Sequence, residues 1–113
     1  MKIRDYVIRD LNKNDKNKNF LNLFLQLNNI KINLTDKEFN QKVDTILSTS
    51  KIIVIEDTNT QKIIATGKIF IEEKFYNSVG HIEDIIVDNN YRKNGLGKNI
   101  INYLTMTCIY RTF

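Results

Sequence analysis

One stretch of this chain limits what it can fold into more than any other. It reads Gly80-His81-Ile82-Glu83-Asp84-Ile85-Ile86-Val87, then Asp88-Asn89-Asn90-Tyr91-Arg92-Lys93-Asn94-Gly95-Leu96-Gly97-Lys98. The first part is an apolar strand, Val79 to Val87, interrupted by two adjacent carboxylates. The second part is a polar turn, a glycine-punctuated loop and the start of an amphipathic helix. Backbone amides in a glycine loop can converge on an anion, and a helix N-terminus adds positive potential. Gly95 and Gly97 leave the amides unobstructed, and Asn94 is a reasonable helix cap. The order strand, loop, helix therefore suits a backbone cradle for phosphates beside strand carboxylates.

Adjacent strand residues point to opposite faces of a sheet. Glu83 and Asp84 can share one pocket only if a bulge re-aims one of them. Without that, one carboxylate makes a structural hydrogen bond and the other lies at the surface. His81 reads as a packed or hydrogen-bonded strand residue.

The remaining segments supply the frame. Lys2 to Leu11 predicts a first strand, and Asn12 to Asn19 a solvated Asn/Lys loop. Phe20, Leu21, Phe24, Leu25 and Leu27 recur at helical spacing and predict a helix with one broad apolar face. Thr35-Asp36-Lys37-Glu38 is a capping box that opens a second helix, with Phe39, Val43, Ile46 and Leu47 as its buried stripe. Ile52 to Ile55 is a β-branched apolar run that predicts a buried strand. After a turn at Glu56 to Gln61 comes a longer strand, Lys62 to Glu72, with Gly67 as a bulge or bend. Glu73 to Ser78 turns the chain into the Val79–Val87 strand. Leu96, Ile100, Ile101 and Leu104 mark the buried face of a third helix. The order is β-α-α-β-β-β-α, in one domain over residues 1–113, with no proline and no second-domain linker.

Composition removes several functions. The formal charge is +4, and the aromatic residues do not interleave with the basic ones, so a nucleic-acid partner is not indicated. One Cys and one His permit neither an intramolecular disulfide nor a zinc site, so no metal is expected. Cys108 reads as a small core or interface residue. No apolar run approaches the roughly 20 residues of a membrane span. A reducing, cytoplasmic setting fits these features. Two phosphate motifs are also excluded: Arg92 stands where a Walker A loop needs its first glycine, and Ile100 where a dinucleotide fingerprint needs its third.

What remains is Arg92-Lys93-Asn94-Gly95-Leu96-Gly97, which fits the Arg/Gln-x-x-Gly-x-Gly/Ala signature of the GNAT superfamily of N-acetyltransferases. With Gly80-His81-Ile82-Glu83-Asp84-Ile85 before it, the segment resembles the branch of that superfamily that acetylates glucosamine 6-phosphate. The resemblance implies an α/β fold, a mixed and largely antiparallel sheet flanked by helices. It implies acetyl-CoA as co-substrate, with Ile85, Ile86 and Val87 giving backbone contacts to its acetyl and pantetheine end. Arg92, Lys93, Asn94, Gly95, Leu96 and Gly97 would hold its pyrophosphate.

On the same resemblance, Glu83 and Asp84 sit at the amino-sugar site, where either can help take up the amine proton. Lys74 and Asn77 lie at the turn that contacts the sugar phosphate, although this turn is shorter than the family's. A homodimer is also implied. The superfamily pattern continues into a fifth strand, a fourth helix and further strands, which the sequence after Leu104 does not match. That leaves the Val79–Val87 strand as an apolar sheet edge. Alternatives are a related acetyltransferase for another amine or a peptide, and a non-catalytic CoA-binding module.

Overall fold

The computed structural model describes residues 5–110, with side chains described through Thr107. Lys2 to Arg4 of the predicted first strand, and the Cys108 and Tyr110 side chains, lie outside that description. Four strands, β1 (Tyr6–Asp10), β2 (Ser50–Asp57), β3 (Lys62–Glu73) and β4 (Ser78–Val87), form one sheet in the order β1-β2-β3-β4. Every pairing in it is antiparallel.

The helices α1 (Leu25–Asn28) and α2 (Asp36–Leu47) belong to one face, and α3 (Leu96–Tyr110) covers the other. The apolar run in β2 explains this two-sided cover. Ile52 and Val54 pack with Phe39 and Val43 of α2, whereas Ile53 and Ile55 pack with Leu96, Ile100 and Leu104 of α3. A central strand buried on both faces has no need of polar alternation.

The capping box forms as expected. The Glu38 amide donates to Thr35 Oγ1 at 3.1 Å, and the Thr35 amide donates to Glu38 Oε1 at 2.8 Å. That backbone bond is the main reason the Glu38 carboxyl titrates below its ordinary value. Phe39 and Val43 are buried and Ile46 packs beside them. Leu47 is exposed, so the packed stripe ends at Ile46, one residue earlier than the pattern predicts.

Two other expectations are corrected. Residues Asn12 to Asn19 are not a loose loop: Lys13–Lys18 is a 3₁₀ turn with its own capping box between Asn12 and Asp15. Asp15 is fully buried because Arg9 clasps it with two hydrogen bonds, at 2.8 and 2.9 Å. The first predicted helix is a 3₁₀ turn, Leu21–Phe24, running into the single-turn α1. Three residues per turn aligns Phe20 with Leu23, both buried, and leaves Leu25 and Leu27 facing outward. Asn29, at φ +58°, stops α1.

Gly67 lies opposite a bulge. Thr66 pairs with Ile86 and Lys68 with Glu83, so Gly67 alone faces both Asp84 and Ile85, and the extra residue belongs to β4. The missing side chain has a packing role as well. A Cβ on Gly67 would lie 2.5 Å from Ile100 Cγ2 and 2.7 Å from Ile85 Cδ1, so α3 rests directly on the sheet here. Gly67→Ala is expected to cost about 2 kcal/mol through overpacking, read as a lower urea midpoint. An unchanged midpoint would show that α3 does not need this close approach.

Candidate functional site

The bulge answers the question that the two carboxylates pose. Asp84 takes φ +54°, the left-handed conformation that Asp and Asn tolerate best among non-glycine residues. Glu83 pairs across the ladder with Lys68, and their side chains form an ion pair at 3.7 Å. Lys68 and Asp84 both line one cavity of about 410 Å³ between the sheet and the α1–α2 side. Its other walls include Phe20, Phe24, Ile32, Phe39 and Thr66. The left-handed residue thus turns Glu83 and Asp84 toward the same side, while Ile85 packs on the α3 side.

Immediately after the bulge, β4 is a sheet edge among the described residues. The Asp88 amide donates to the Ile64 carbonyl at 2.8 Å, which sets the alternation of the strand. Backbone groups of Ile86, opposite Thr66, point into the ladder with β3. Those of Val87, and by the same alternation Ile85, point to the open edge. The edge therefore offers donors and acceptors at Ile85 and Val87, within a few residues of the carboxylates, and Ile86 contributes its side chain to the α2-side core.

The loop follows. A 3₁₀ turn, Asn89–Tyr91, is capped by Asp88, whose Oδ1 accepts the Asn90 amide at 2.8 Å. Lys93 at φ +68° and Gly95 at φ +74° then curl the backbone. Glycine suits the second of these positions because L side chains rarely adopt that conformation. Gly97 is different: a Cβ there would make only ordinary contact with Val87 at 3.8 Å, so alanine fits.

The α3 helix opens at Leu96, and the Asn99 amide makes the bond to the Gly95 carbonyl at 3.0 Å. The amides of Leu96, Gly97 and Lys98 precede that bond and have no intrahelical acceptor. Gly95 is therefore the capping position. Asn94, expected as the cap, instead donates its side-chain amide to the Tyr91 carbonyl at 2.9 Å. Leu96 is buried in the α3 core, so only its backbone can face a ligand. Arg92, Lys93 and Lys98 are exposed around the loop.

The hairpin tip stands apart. The Lys74 amide donates to the Asn77 carbonyl at 2.8 Å, and Lys74 Nζ lies 5.8 Å from the Tyr76 ring centroid. Asn77 and Glu83 are six residue steps apart along the extended β4, about 20 Å at roughly 3.3 Å per step. Lys74 and Asn77 are thus not brought together with the carboxylates within one chain. His81 stacks on Phe70 and bonds Glu72 Oε1 through Nε2 at 2.9 Å, a structural role.

The sequence reading missed Lys68. A lone cation inside the apolar run of β3 was its signal, and its register with Glu83 was the missing information. Among the described residues no cluster of His, Cys, Asp and Glu could hold a metal ion, and no helix is long and apolar enough to cross a membrane.

A sheet whose edge strand runs through two carboxylates into a glycine loop and a helix N-terminus sets a backbone anion cradle beside a pair of acid–base groups. Residues 16–109 match the family model for the acetyltransferase (GNAT) family, and the chain belongs to that family. It is 38% identical over 109 residues to the glucosamine 6-phosphate N-acetyltransferase of Arabidopsis thaliana, covering 91% of this chain and 72% of the relative. It is also 38% identical over 102 residues to glucosamine 6-phosphate N-acetyltransferase 1 of Dictyostelium discoideum, covering 85% of this chain and 64% of that relative. The crystal structure of the Arabidopsis enzyme superimposes with a TM-score of 0.89 at 37% identity, over 95% of this chain and 76% of that one. A Trypanosoma brucei acetyltransferase gives 0.83 at 30% identity, over 90% and 73%.

The four-stranded sheet is the N-terminal portion of the GNAT fold, as the sequence predicts. The described pairings are antiparallel.

Proposed function

We propose that this chain, as one N-acetyltransferase domain over residues 1–113, transfers the acetyl group of acetyl-CoA to the amine of glucosamine 6-phosphate. The observation that carries the proposal is the left-handed bulge at Asp84, which turns both carboxylates to one side beside an open strand edge. The names of the Arabidopsis and Dictyostelium relatives support the choice of amine.

Acetyl-CoA lies along the edge of β4. Its pantetheine arm meets the outward backbone groups of Ile85 and Val87, with Ile86 between them. Its pyrophosphate meets the amides from Arg92 to Gly97, the N-terminus of α3 and the Arg92 and Lys93 charges. The substrate amine attacks the thioester carbonyl. A C–N bond forms, the C–S bond breaks, and CoA leaves as the thiolate. Asp84 takes the proton that the amine gives up, with Glu83 beside it and held by Lys68. The Ile85 amide donates to the carbonyl oxygen as negative charge develops there.

The distance of Lys74 and Asn77 from the carboxylates favours a homodimer. There the hairpin tip of one copy supplies the phosphate contact to the sugar held by the other. The reaction belongs in the cytoplasm, on the route to the N-acetylglucosamine nucleotide sugar.

The test is free-thiol release from acetyl-CoA with glucosamine 6-phosphate, with glucosamine and with no amine. Release that requires the phosphorylated sugar is the expected result. Equal release with other amines would overturn the substrate. Acetyl-CoA binding with no release under any condition would leave a CoA-binding module.

A further inference from the structure

We infer that Tyr91 is a positioning residue for the glycine loop, acting through a partly buried hydrogen bond to Asp57 that presets the loop amides for a diphosphate. The inference rests on the acetyl-CoA reading above and adds a residue outside the predicted site.

Tyr91 is the last residue before Arg92. Its hydroxyl donates to Asp57 Oδ2 at 2.8 Å, across 34 residues of sequence. Asp57 is only 2% exposed, so this phenol–carboxylate bond is shielded from water and strengthened by the carboxylate charge. Asp57 is itself a fixed base. It closes β2 in register with Lys62, and its Oδ1 accepts the Asn59 amide at 3.0 Å. Its carbonyl accepts the amides of Thr60 and Gln61. The Tyr91 ring meets Tyr6 edge to face at 6.3 Å, partly buried on the α3 side of the sheet.

The other end of the residue holds the loop. The Tyr91 amide bonds the Asp88 carbonyl at 2.9 Å, and its carbonyl accepts from Asn94. Both bonds are local and would move with the loop. The hydroxyl bond instead ties the loop to the end of β2, where the chain turns into β3. A second tie, from the Asn89 amide to Gln26 Oε1 at 2.9 Å, is exposed to solvent and so contributes less. The loop contains two left-handed residues, Lys93 and Gly95, which a free chain would rarely adopt together. A ligand that needs several loop amides to converge gains affinity when that conformation is held beforehand.

The experiment compares the full chain with Tyr91→Phe and Asp57→Asn. The phenylalanine keeps the ring against Tyr6 and removes only the hydroxyl. The asparagine keeps an acceptor for Asn59 and presents an amide donor to the Tyr91 oxygen. Two readouts are taken: backbone ¹⁵N relaxation of Gly95 and Gly97 in the free protein, and acetyl-CoA affinity by calorimetry. Tyr91→Phe is expected to lower the order of both glycine amides and weaken acetyl-CoA about tenfold, the scale of one charge-assisted hydrogen bond. Asp57→Asn is expected to retain most of the wild-type order. The KM for the amine should not follow that for acetyl-CoA.

Unchanged glycine relaxation in Tyr91→Phe overturns the positioning role, whatever the ligand does. A wild-type chain that binds no acetyl-CoA overturns the acetyl-CoA reading instead, and the relaxation data still decide whether Tyr91 orders the loop.

Discussion

Asp84→Asn is expected to lower amine-dependent thiol release from acetyl-CoA by about 10²-fold, the lower range for loss of a positioned base. The substitution suits the position, because Asn adopts φ +54° as readily as Asp does. The bulge, the Glu83–Lys68 pair and the cavity wall should therefore persist, and acetyl-CoA affinity should not change. What is lost is the capacity to take a proton. Asp84→Ala would be a poorer test, because it adds backbone strain to the chemical loss. Glu83→Gln is expected to have the smaller effect, since its side chain already has a cation at 3.7 Å and is half exposed. Steady-state rates for both variants, with acetyl-CoA binding measured alongside, separate the roles. If Asp84→Asn turns over at the wild-type rate while Glu83→Gln does not, the two assignments exchange. If neither matters, the amine gives its proton to solvent.

The sequence stated the condition for this site but not its outcome. Two carboxylates at adjacent strand positions share a face only across a bulge, and nothing local in Ile82-Glu83-Asp84-Ile85 marks one. The bulge depends on β3. Gly67 has no side chain to resist α3, and it faces two residues of β4 where the ladder allows one. Lys68 escaped for a related reason. Once Glu73 is paired with Ser78, counting back along the hairpin sets Lys68 opposite Glu83, but the closing pair is a product of the turn geometry.

Local signals served better. The Thr35–Glu38 box, the two-faced β2 run and the strand–loop–helix order all depend on neighbours within a few residues. The Asn12–Asn19 segment shows the opposite case. Its polar composition reads as solvated, yet Asp15 is buried because a strand residue, Arg9, and a distant one, Glu56, complete its charge network. Composition carries no information about such a partner.

Arg9→Met is expected to destabilise the fold by about 3 kcal/mol, the low end for breaking a buried ion pair. That corresponds to a fall in Tm on the order of 10 °C for a chain of this size. Arg9 donates to both oxygens of Asp15 at 2.9 and 2.8 Å and to Glu56 Oε1 at 2.8 Å. The Asp15 side chain is 1% exposed, so the variant strands a carboxylate out of water with the Asn12 amide, at 2.8 Å, as its remaining close donor among the described residues. The loss should propagate to the Lys13–Lys18 turn, which Asp15 pins to β1.

Acid dependence provides an independent check. The hydrogen bond from Arg9, with help from Lys18, holds the Glu56 carboxyl below the ordinary glutamate value. A depressed carboxyl contributes stability that is present above its unfolded pKa and lost as pH falls through its folded pKa. Wild type should therefore lose stability on acidification below the ordinary carboxylate range. The gap between wild type and Arg9→Met should narrow there, because the Glu56 carboxyl becomes neutral and needs no cation. Urea midpoints at neutral pH and in that acid range measure both effects.

The double variant Arg9→Met/Asp15→Leu should recover much of the loss at neutral pH, since removing both charges removes the stranded one. Equal midpoints for wild type and Arg9→Met at neutral pH would mean that water reaches Asp15 and that the Lys13–Lys18 turn is held by its own caps alone.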